Sequence, residues 1–328
     1  MNMLESLVRL IPGQDINISS MCVDDILNLL DSKDINSSTV ILTNRDVWRY
    51  NDSLSDIFSH PKLTGRRVIL QNLNYTNTKI NDNHYTISFP VWYWSRKKIS
   101  ANFRPLENNL TYGFSCLNNN NNIHRTLLGY KLYVAECLPE IIFTQNVINR
   151  YFLHRVLEDA PELNLTRYSE YLDLLPIKHH SEITTNNFKD DHSIDHEAYQ
   201  NAYCNIVTES ETEKYPYFQN INLPVITEKS YKPFLSRQIP LMLAPQGHIK
   251  YLQGLGFDLM TDLLPNDFDD FPVLQKIDAI VGIVNKGKEF IKDFYFSHLS
   301  ELQHNYELVN SDKVENIITQ RINNILND

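Results

Sequence analysis

The sequence predicts an α/β protein of two lobes, each with a mostly parallel sheet, followed by a helical C-terminal segment. Short apolar runs rich in β-branched residues recur along the chain, and helical patterns separate them. The chain has 328 residues, 42% of them hydrophobic, which is too long for one ordinary core and sufficient for two. We predict an N-terminal lobe over 1–108, a second lobe over 109–305 and a terminal helix over 306–328 that can pack back on the first lobe.

The first lobe is predicted from three apolar runs of strand length and one helical pattern. The runs STVILTN, RRVILQNL and HYTISFPVWYW cover 38–44, 66–73 and 84–94. The pattern DDILNLLDS predicts a helix over 24–32, because acidic residues favour a helix N-terminus.

The second lobe repeats the alternation of strands and helices. Its predicted strands lie at 111–117, 203–210, 225–226 and 239–245. Its predicted helices lie at 123–138 and 230–238, with 139–200 read as helical and polar and the chain from 273 onward as helical. Ligands of such folds bind at the carboxyl ends of strands, so the loops there are the candidate site.

Several function classes lack the motifs they require. The chain has nine glycines and contains neither GxGxxG nor GxxxxGK[ST], which argues against a dinucleotide oxidoreductase or a P-loop enzyme. GxSxG is also absent, so no serine nucleophile is predicted. The 40 acidic and 30 basic residues are spread along the chain without a basic block, which makes nucleic acid an improbable main partner.

The remaining composition predicts a cytoplasmic protein without a metal. The four cysteines are scattered and lack CxxC spacing, as in a reduced intracellular protein. An acid and a proline interrupt the N-terminal 15 residues, and no stretch of 18 apolar residues occurs. The stretch DDHSIDH at 190–196 has metal-ligand residue types, but it lies in a polar connection and is read as a solvated loop.

Three loops after predicted strands carry charged residues. Arg125 opens a helix, where it is either a fork for a phosphate or a solvated surface arginine. Glu209 follows a buried strand and either accepts hydrogen bonds from sugar hydroxyls or caps the next turn. Thr227, Glu228 and Lys229 form the third loop, with Thr227 as N-cap and Glu228 in the first turn of the following helix.

Capping leaves Lys229 without a partner, because a cation opposes the dipole at a helix N-terminus. A pyrophosphate at this place supplies the missing negative charge. The Glu228 carboxylate is suited to bind ribose hydroxyls, and the neighbouring Lys229 ammonium is suited to bind phosphate. Together the two residues predict a nucleoside-diphosphate sugar as ligand.

The motifs around these loops resemble those of the α1,3-fucosyltransferases and their bacterial, phage and giant-virus relatives. ITEKSYKPFLSRQIPLMLAPQ is similar to the donor-binding segment of that family. YGFSCLNNNNNIHRTLLGYKL looks like its strand, loop and arginine-containing helix, and YCNIVTES looks like its strand ending in Phe-Glu-Asn, with Ser210 in place of the asparagine. The resemblance covers 111–310 with gaps.

The resemblance implies a fold of two Rossmann-like lobes, termed GT-B, with the nucleotide sugar in the second lobe. Carried over by position, Glu228 would bind the ribose, Lys229 and Arg125 the diphosphate, and Glu209 would lie near the transferred sugar. The family's glutamate base has no counterpart, since 69–78 contains no acid. Candidate bases elsewhere are Asp46 and Glu107, and ordinary surface acids are the alternative for both.

The expected activity is therefore transfer of a hexose or pentose from a GDP- or UDP-linked donor to a hydroxyl of a carbohydrate acceptor, in polysaccharide or lipopolysaccharide synthesis. Two preorganised cations take the place of a metal, so no further cofactor is expected. Two alternatives stay open, namely transfer to hydroxymethylated bases of phage DNA and a catalytically inactive module that binds sugar nucleotides.

Overall fold

A computed structural model describes eleven parts of the chain: 14–18, 23–43, 54–72, 78–88, 109–118, 122–146, 166–178, 197–209, 213–214, 219–220 and 226–327. Internal contacts divide the chain into two compact units, Met1–Ser95 with Lys313–Asp328, and Arg96–Asp312. Within the described residues, no helix is both long enough and apolar enough to cross a membrane.

The first unit contains a five-stranded sheet. Its strands are β1 (Gln14–Asn17), β2 (Thr39–Thr43), β3 (Arg67–Asn72), β4 (Thr78–Lys79) and β5 (His84–Ser88). They are ordered β1-β2-β3-β5-β4, and only β4 runs antiparallel to its neighbour. The three strands predicted here are confirmed as β2, β3 and β5, while 89–94 of the third prediction lies outside the described residues.

Helices α1 (Val23–Ser32) and α2 (Leu54–Phe58) belong to the same unit. Their buried residues Ile26, Leu30 and Ile57 share a core with alternate residues of β2 and β3. A third helix, α11 (Lys313–Asn327), buries residues at every fourth position, namely Val314, Ile318 and Ile322. This spacing places them on one face of the helix, so α11 is amphipathic.

The second unit contains a four-stranded, fully parallel sheet. Its strands are β6 (Tyr112–Asn118), β7 (Ile141–Gln145), β8 (Ala202–Thr208) and β11 (Ile239–Leu243), in the order β11-β8-β6-β7. Two short strands, β9 (Glu213–Lys214) and β10 (Gln219–Asn220), form a separate antiparallel pair.

Two sequence predictions for this unit are wrong. Strand β7 was predicted as part of a helical, polar region, yet its residues IIFTQ are all buried in the sheet. An apolar run this short does not distinguish a strand from a buried helix. The strand predicted at 225–226 is also wrong for Ile226, which lies outside any strand, two residues before a helix that begins at Glu228.

The described helices of this unit are α3 (Ile123–Val134), α4 (Tyr168–Asp173), α5 (Glu197–Gln200), α6 (Glu228–Leu235), α7 (His248–Gln253), α8 (Val273–Val284), α9 (Gly287–Ser297) and α10 (Leu299–Asn310). The helical pattern predicted from 273 onward is confirmed by α8, α9, α10 and α11.

Close approaches at two glycines show which faces of the sheet the helices cover. A Cβ on Gly113 of β6 would lie 3.0 Å from the Cα of Lys288 in α9. A Cβ on Gly129 of α3 would lie 2.8 Å from the ring of Phe143 in β7. Phe143 is adjacent in the sheet to Cys116, whose side chain points to the face opposite Gly113. Helices α3 and α9 therefore pack on opposite faces of the sheet.

The two units are α/β structures with largely parallel sheets and helices, consistent with a two-lobed Rossmann-like fold. In the second sheet the chain moves from β6 outward to β7, then crosses back to β8 on the other side of β6. Such a reversal separates the loops that follow β6 and β8. In folds of this kind, ligands bind in the space between these loops, at the carboxyl ends of the two strands.

Candidate functional site

The candidate site lies at the point where the strand order of the second sheet reverses, between β6 and β8. Asn118 ends β6 and Thr208 ends β8, and the Thr208 hydroxyl donates to Asn118 Oδ1 at 2.6 Å. The backbone N–H of Asn118 donates to Thr144 Oγ1 on β7 at 3.1 Å. These side chains form a buried polar layer that closes the end of the sheet.

Glu209 directly follows this layer and is completely buried. Thr227 N–H donates to its Oε1 at 3.1 Å, and the Thr227 hydroxyl donates to its Oε2 at 2.7 Å. The Ser230 hydroxyl also donates to Oε1. Burial by itself would raise the pKa of this carboxyl, but the protonated form of His248, the Lys229 ammonium and the two hydroxyl donors outweigh burial and lower the pKa. Glu209 is therefore an ionised anchor for the start of α6.

Helix α6 begins as predicted, with Thr227 as its N-cap in extended conformation and Glu228 in its first turn. The Thr227 hydroxyl accepts from the backbone N–H of Lys229 at 3.4 Å. The prediction that Lys229 lacks a protein partner is wrong, since its Nζ donates to Glu228 Oε1 at 3.0 Å. Adjacent residues on a helix do not normally face each other, and this pair lies in the first turn of α6.

Glu228 and Lys229 are the charged groups of this helix start that solvent can reach. Their side chains are 10% and 29% exposed, respectively. Within the described residues, Glu228 Oε2 has no hydrogen-bond donor, because the ion pair engages only Oε1. A partly exposed carboxylate oxygen with no donor among the described residues is suited to accept a hydrogen bond from a ligand hydroxyl.

Arg125 is buried in the first turn of α3 and does not reach solvent. Its Nη2 donates to the carbonyl oxygens of Thr208 and Glu209, at 2.9 and 3.0 Å. The adjacent His124 places Nε2 2.8 Å from the same Glu209 oxygen. Neither a solvated surface arginine nor a fork open to a phosphate fits this geometry. Arg125 instead joins the start of α3 to the end of β8.

His248 and Ser230 are two further residues of the site, and the sequence analysis did not identify them. Ser230 lies on α6 and His248 begins α7, and the Ser230 hydroxyl is 2.9 Å from His248 Nε2. Both side chains are fully buried. Burial lowers the pKa of His248, and the opposing effects of Glu209 and Asp269 do not offset it. The imidazole is therefore neutral near pH 7.

A buried lysine lies beyond His248, at the end of β11. Lys276 of α8 donates from Nζ to the carbonyl oxygen of Ala244 at 2.9 Å, and burial lowers its pKa to about 8. A sequence signal for it existed, because 273, 276, 277 and 280 follow the helical spacing of a buried face. A lysine on such a face has to be buried or to interrupt the packing.

Gln145 ends β7 in the same polar layer, and it was missed because the strand itself was missed. Its side chain is 1% exposed. Among the described residues neither Oε1 nor Nε2 of its carboxamide has a hydrogen-bond partner. Two buried polar atoms without partners are costly to the fold.

Three other predictions concern residues without described structure. The candidate bases Asp46 and Glu107 and the polar stretch 190–196 lie outside the described residues. Among the residues that are described, no group of three His, Cys, Asp or Glu side chains is arranged to hold a metal ion.

Comparisons of the chain with protein-family models, with curated proteins and with solved structures find no match. The resemblance to the fucosyltransferase group accordingly stays a prediction from the motifs.

Proposed function

We propose that the chain is a metal-independent glycosyltransferase of the GT-B type, which moves a sugar from a nucleoside-diphosphate sugar to a hydroxyl of a carbohydrate acceptor. The observation that carries the proposal is the Glu228–Lys229 pair at the N-terminus of α6. This pair is held at the carboxyl edge of a parallel sheet, beside the reversal of its strand order.

The chemistry of the pair suits a nucleoside diphosphate. Glu228 Oε2 accepts hydrogen bonds from the ribose hydroxyls, while Lys229 and the N-terminus of α6 face the phosphates. The Glu228–Lys229 pair involves one carboxylate oxygen and an ammonium that is 29% exposed, so Lys229 is accessible to a ligand from solvent. A diphosphate with two or more negative charges therefore competes successfully for the Lys229 ammonium.

The reaction breaks the bond between the anomeric carbon and a phosphate oxygen. The bonding electron pair leaves with the nucleoside diphosphate, the acceptor oxygen bonds to the anomeric carbon, and the acceptor proton passes to a base. Lys229 stabilises the charge that develops on the departing phosphate. Asp46 and Glu107 remain our candidates for the base.

Glu209 and Arg125 take supporting roles in this proposal. Glu209 carries three hydrogen bonds from the start of α6, and Arg125 holds the backbone at the end of β8. Both keep the donor-binding edge in place, which differs from the direct contacts with sugar and phosphate that the motifs suggested.

The proposal is tested by isothermal titration calorimetry with GDP, UDP, CDP and ADP. We expect Lys229→Ala to weaken binding of the preferred nucleotide by roughly 10-fold to 150-fold, because a hydrogen bond to a charged group contributes about 1.5–3 kcal/mol. Lys250→Ala is the matched control, since Lys250 is an exposed lysine paired with Asp270 at 2.8 Å on another helix. Its affinity should equal that of the wild type.

The ribose contact is tested separately with Glu228→Gln and 2′-deoxynucleotides. Wild type should lose affinity for the deoxynucleotide, and the variant should discriminate less between the two forms. Equal nucleotide affinity in wild type and Lys229→Ala would refute the site. Release of nucleoside diphosphate that depends on a carbohydrate acceptor distinguishes a transferase from an inactive binding module.

A further inference from the structure

A chain of buried hydrogen bonds links the proposed donor site to the start of helix α7. It runs from the Glu209 carboxylate through the Ser230 hydroxyl to His248 Nε2. Ser230 has a single hydroxyl proton, and the ionised carboxylate of Glu209 is the stronger acceptor for it. The Ser230 oxygen therefore accepts from His248, and this fixes the neutral imidazole with its proton on Nε2.

The His248 end of this hydrogen-bond chain is held independently of the donor site. His248 is the first residue of α7, and the Asp269 carboxylate accepts from the next two backbone N–H groups, those of Ile249 and Lys250, at 3.2 and 3.1 Å. Asp269 is itself buried. The imidazole thus extends from a fixed helix start toward α6.

At the other end of this hydrogen-bond chain, the hydrogen bonds to Glu209 come from both sides of the two residues that we propose bind the donor. Thr227 and Ser230 both donate to Glu209, and Glu228 and Lys229 lie between them in sequence. With both ends of this turn bound to one carboxylate, the directions of the Glu228 and Lys229 side chains depend on that anchor. The His248 bond restricts the rotation of the Ser230 hydroxyl, which is part of the anchor.

We infer that His248 and Ser230 are positioning residues of the nucleotide site, which act through Glu209 to hold the first turn of α6 in the orientation that binds the donor. This inference rests on the proposed function. Preorganisation of this kind raises ligand affinity, because a site that becomes ordered only on binding loses conformational entropy and therefore binds more weakly.

The test uses the full chain and the nucleoside diphosphate that wild type prefers. We compare His248→Gln, whose amide can donate from nearly the same place as Nε2, with His248→Leu, which has no donor. We expect His248→Leu to bind about tenfold more weakly, a factor equivalent to one lost hydrogen bond, and His248→Gln to stay within about threefold of wild type. Melting temperatures are measured for all variants, and binding is measured well below the lowest of them.

Ser230→Ala keeps the test decisive if His248→Leu does not fold. It removes the middle of the chain and should weaken nucleotide binding by a similar factor. In the double variant Ser230→Ala/His248→Leu the two effects should not multiply, because either change alone interrupts the same chain.

Three results overturn the inference. In the first, all variants bind nucleotide as wild type does while their melting temperatures fall, which means that the chain only stabilises the fold. In the second, His248→Gln loses as much affinity as His248→Leu, so the donated hydrogen bond is not what matters. In the third, wild type binds none of the four nucleotides, and the proposed function falls together with the inference.

Discussion

Lys276 provides the sharpest prediction from the structure, because its burial has a calculable effect on stability. The side chain is 2% exposed, and its Nζ contacts the carbonyl oxygen of Ala244 and lies 5.8 Å from the ring centre of Phe268. Burial lowers its pKa from 10.5 to about 8, although Asp269 and Asp270 act in the opposite direction. The perturbation is Lys276→Met, which keeps an unbranched side chain of similar shape and removes the charge.

The sign of the effect follows from proton binding. The folded pKa of about 8 lies below the unfolded value of 10.5, so the unfolded chain binds more protons between these values. Stability contributed by this group therefore rises with pH in that window. Each tenfold change in the protonation equilibrium is worth about 1.4 kcal/mol, so burial of the lysine costs the fold about 3 kcal/mol at pH 7, where the amine is charged, and about 1 kcal/mol at pH 10, where the folded amine is neutral.

The assay is urea unfolding of wild type and Lys276→Met at pH 7, 8, 9 and 10. The quantity of interest is the free energy of unfolding of wild type minus that of the variant at each pH. We expect this difference to rise by about 2 kcal/mol from pH 7 to pH 10, because the penalty is present only in wild type. Burial also raises the pKa of several tyrosines and cysteines above their ordinary values, so these groups add a pH dependence of their own in this range. That contribution is common to both proteins and cancels in the difference.

A difference that stays constant from pH 7 to pH 10 would refute the burial of Lys276. A difference that falls with pH would show that the lysine is stabilised as a cation, which reverses the sign argued here. The size of the stability difference at pH 7 does not test the pKa of Lys276, and only its change with pH does. Lys276→Met also removes the hydrogen bond to the Ala244 carbonyl oxygen, which affects stability at every pH.

Two further predictions concern packing on the α3 face of the second sheet. Gly129→Ala should lower the free energy of unfolding by about 1–3 kcal/mol through overpacking, because the new Cβ would overlap the Tyr171 hydroxyl and lie 2.8 Å from Phe143. Gly282→Ala is the control, because Gly282 is a helical residue with open space around it. This variant should raise the free energy of unfolding by about 1 kcal/mol. Equal effects at both glycines would contradict the close packing of Tyr171 and Phe143 against Gly129. Gln145→Met should raise the free energy of unfolding by about 1–3 kcal/mol, because it removes two buried polar atoms that lack partners. A loss of stability in that variant would mean that the carboxamide has a partner in solution.

Local patterns in the sequence were sufficient to predict most of the strands and the N-cap of one helix. Continuous apolar runs of strand length predicted β2, β3, β6, β8 and β11, because a parallel strand buried on both faces needs such a run. Thr227 was identified as an N-cap from residue type and position, since capping involves only neighbouring residues. Strand β7 was not found, because five apolar residues suit a buried helix equally well.

The sequence by itself determined the class of the fold and which loops carry charge at the carboxyl edge of the second sheet. Only the tertiary structure decided what each charged group contacts there. Arg125 and Glu209 are buried by contacts with residues 18 to 84 positions away, and Lys229 is left at the surface beside Glu228. Periodicity and capping depend on residues within a few positions, whereas burial and the partner of a charge depend on the strand order that brings distant segments together.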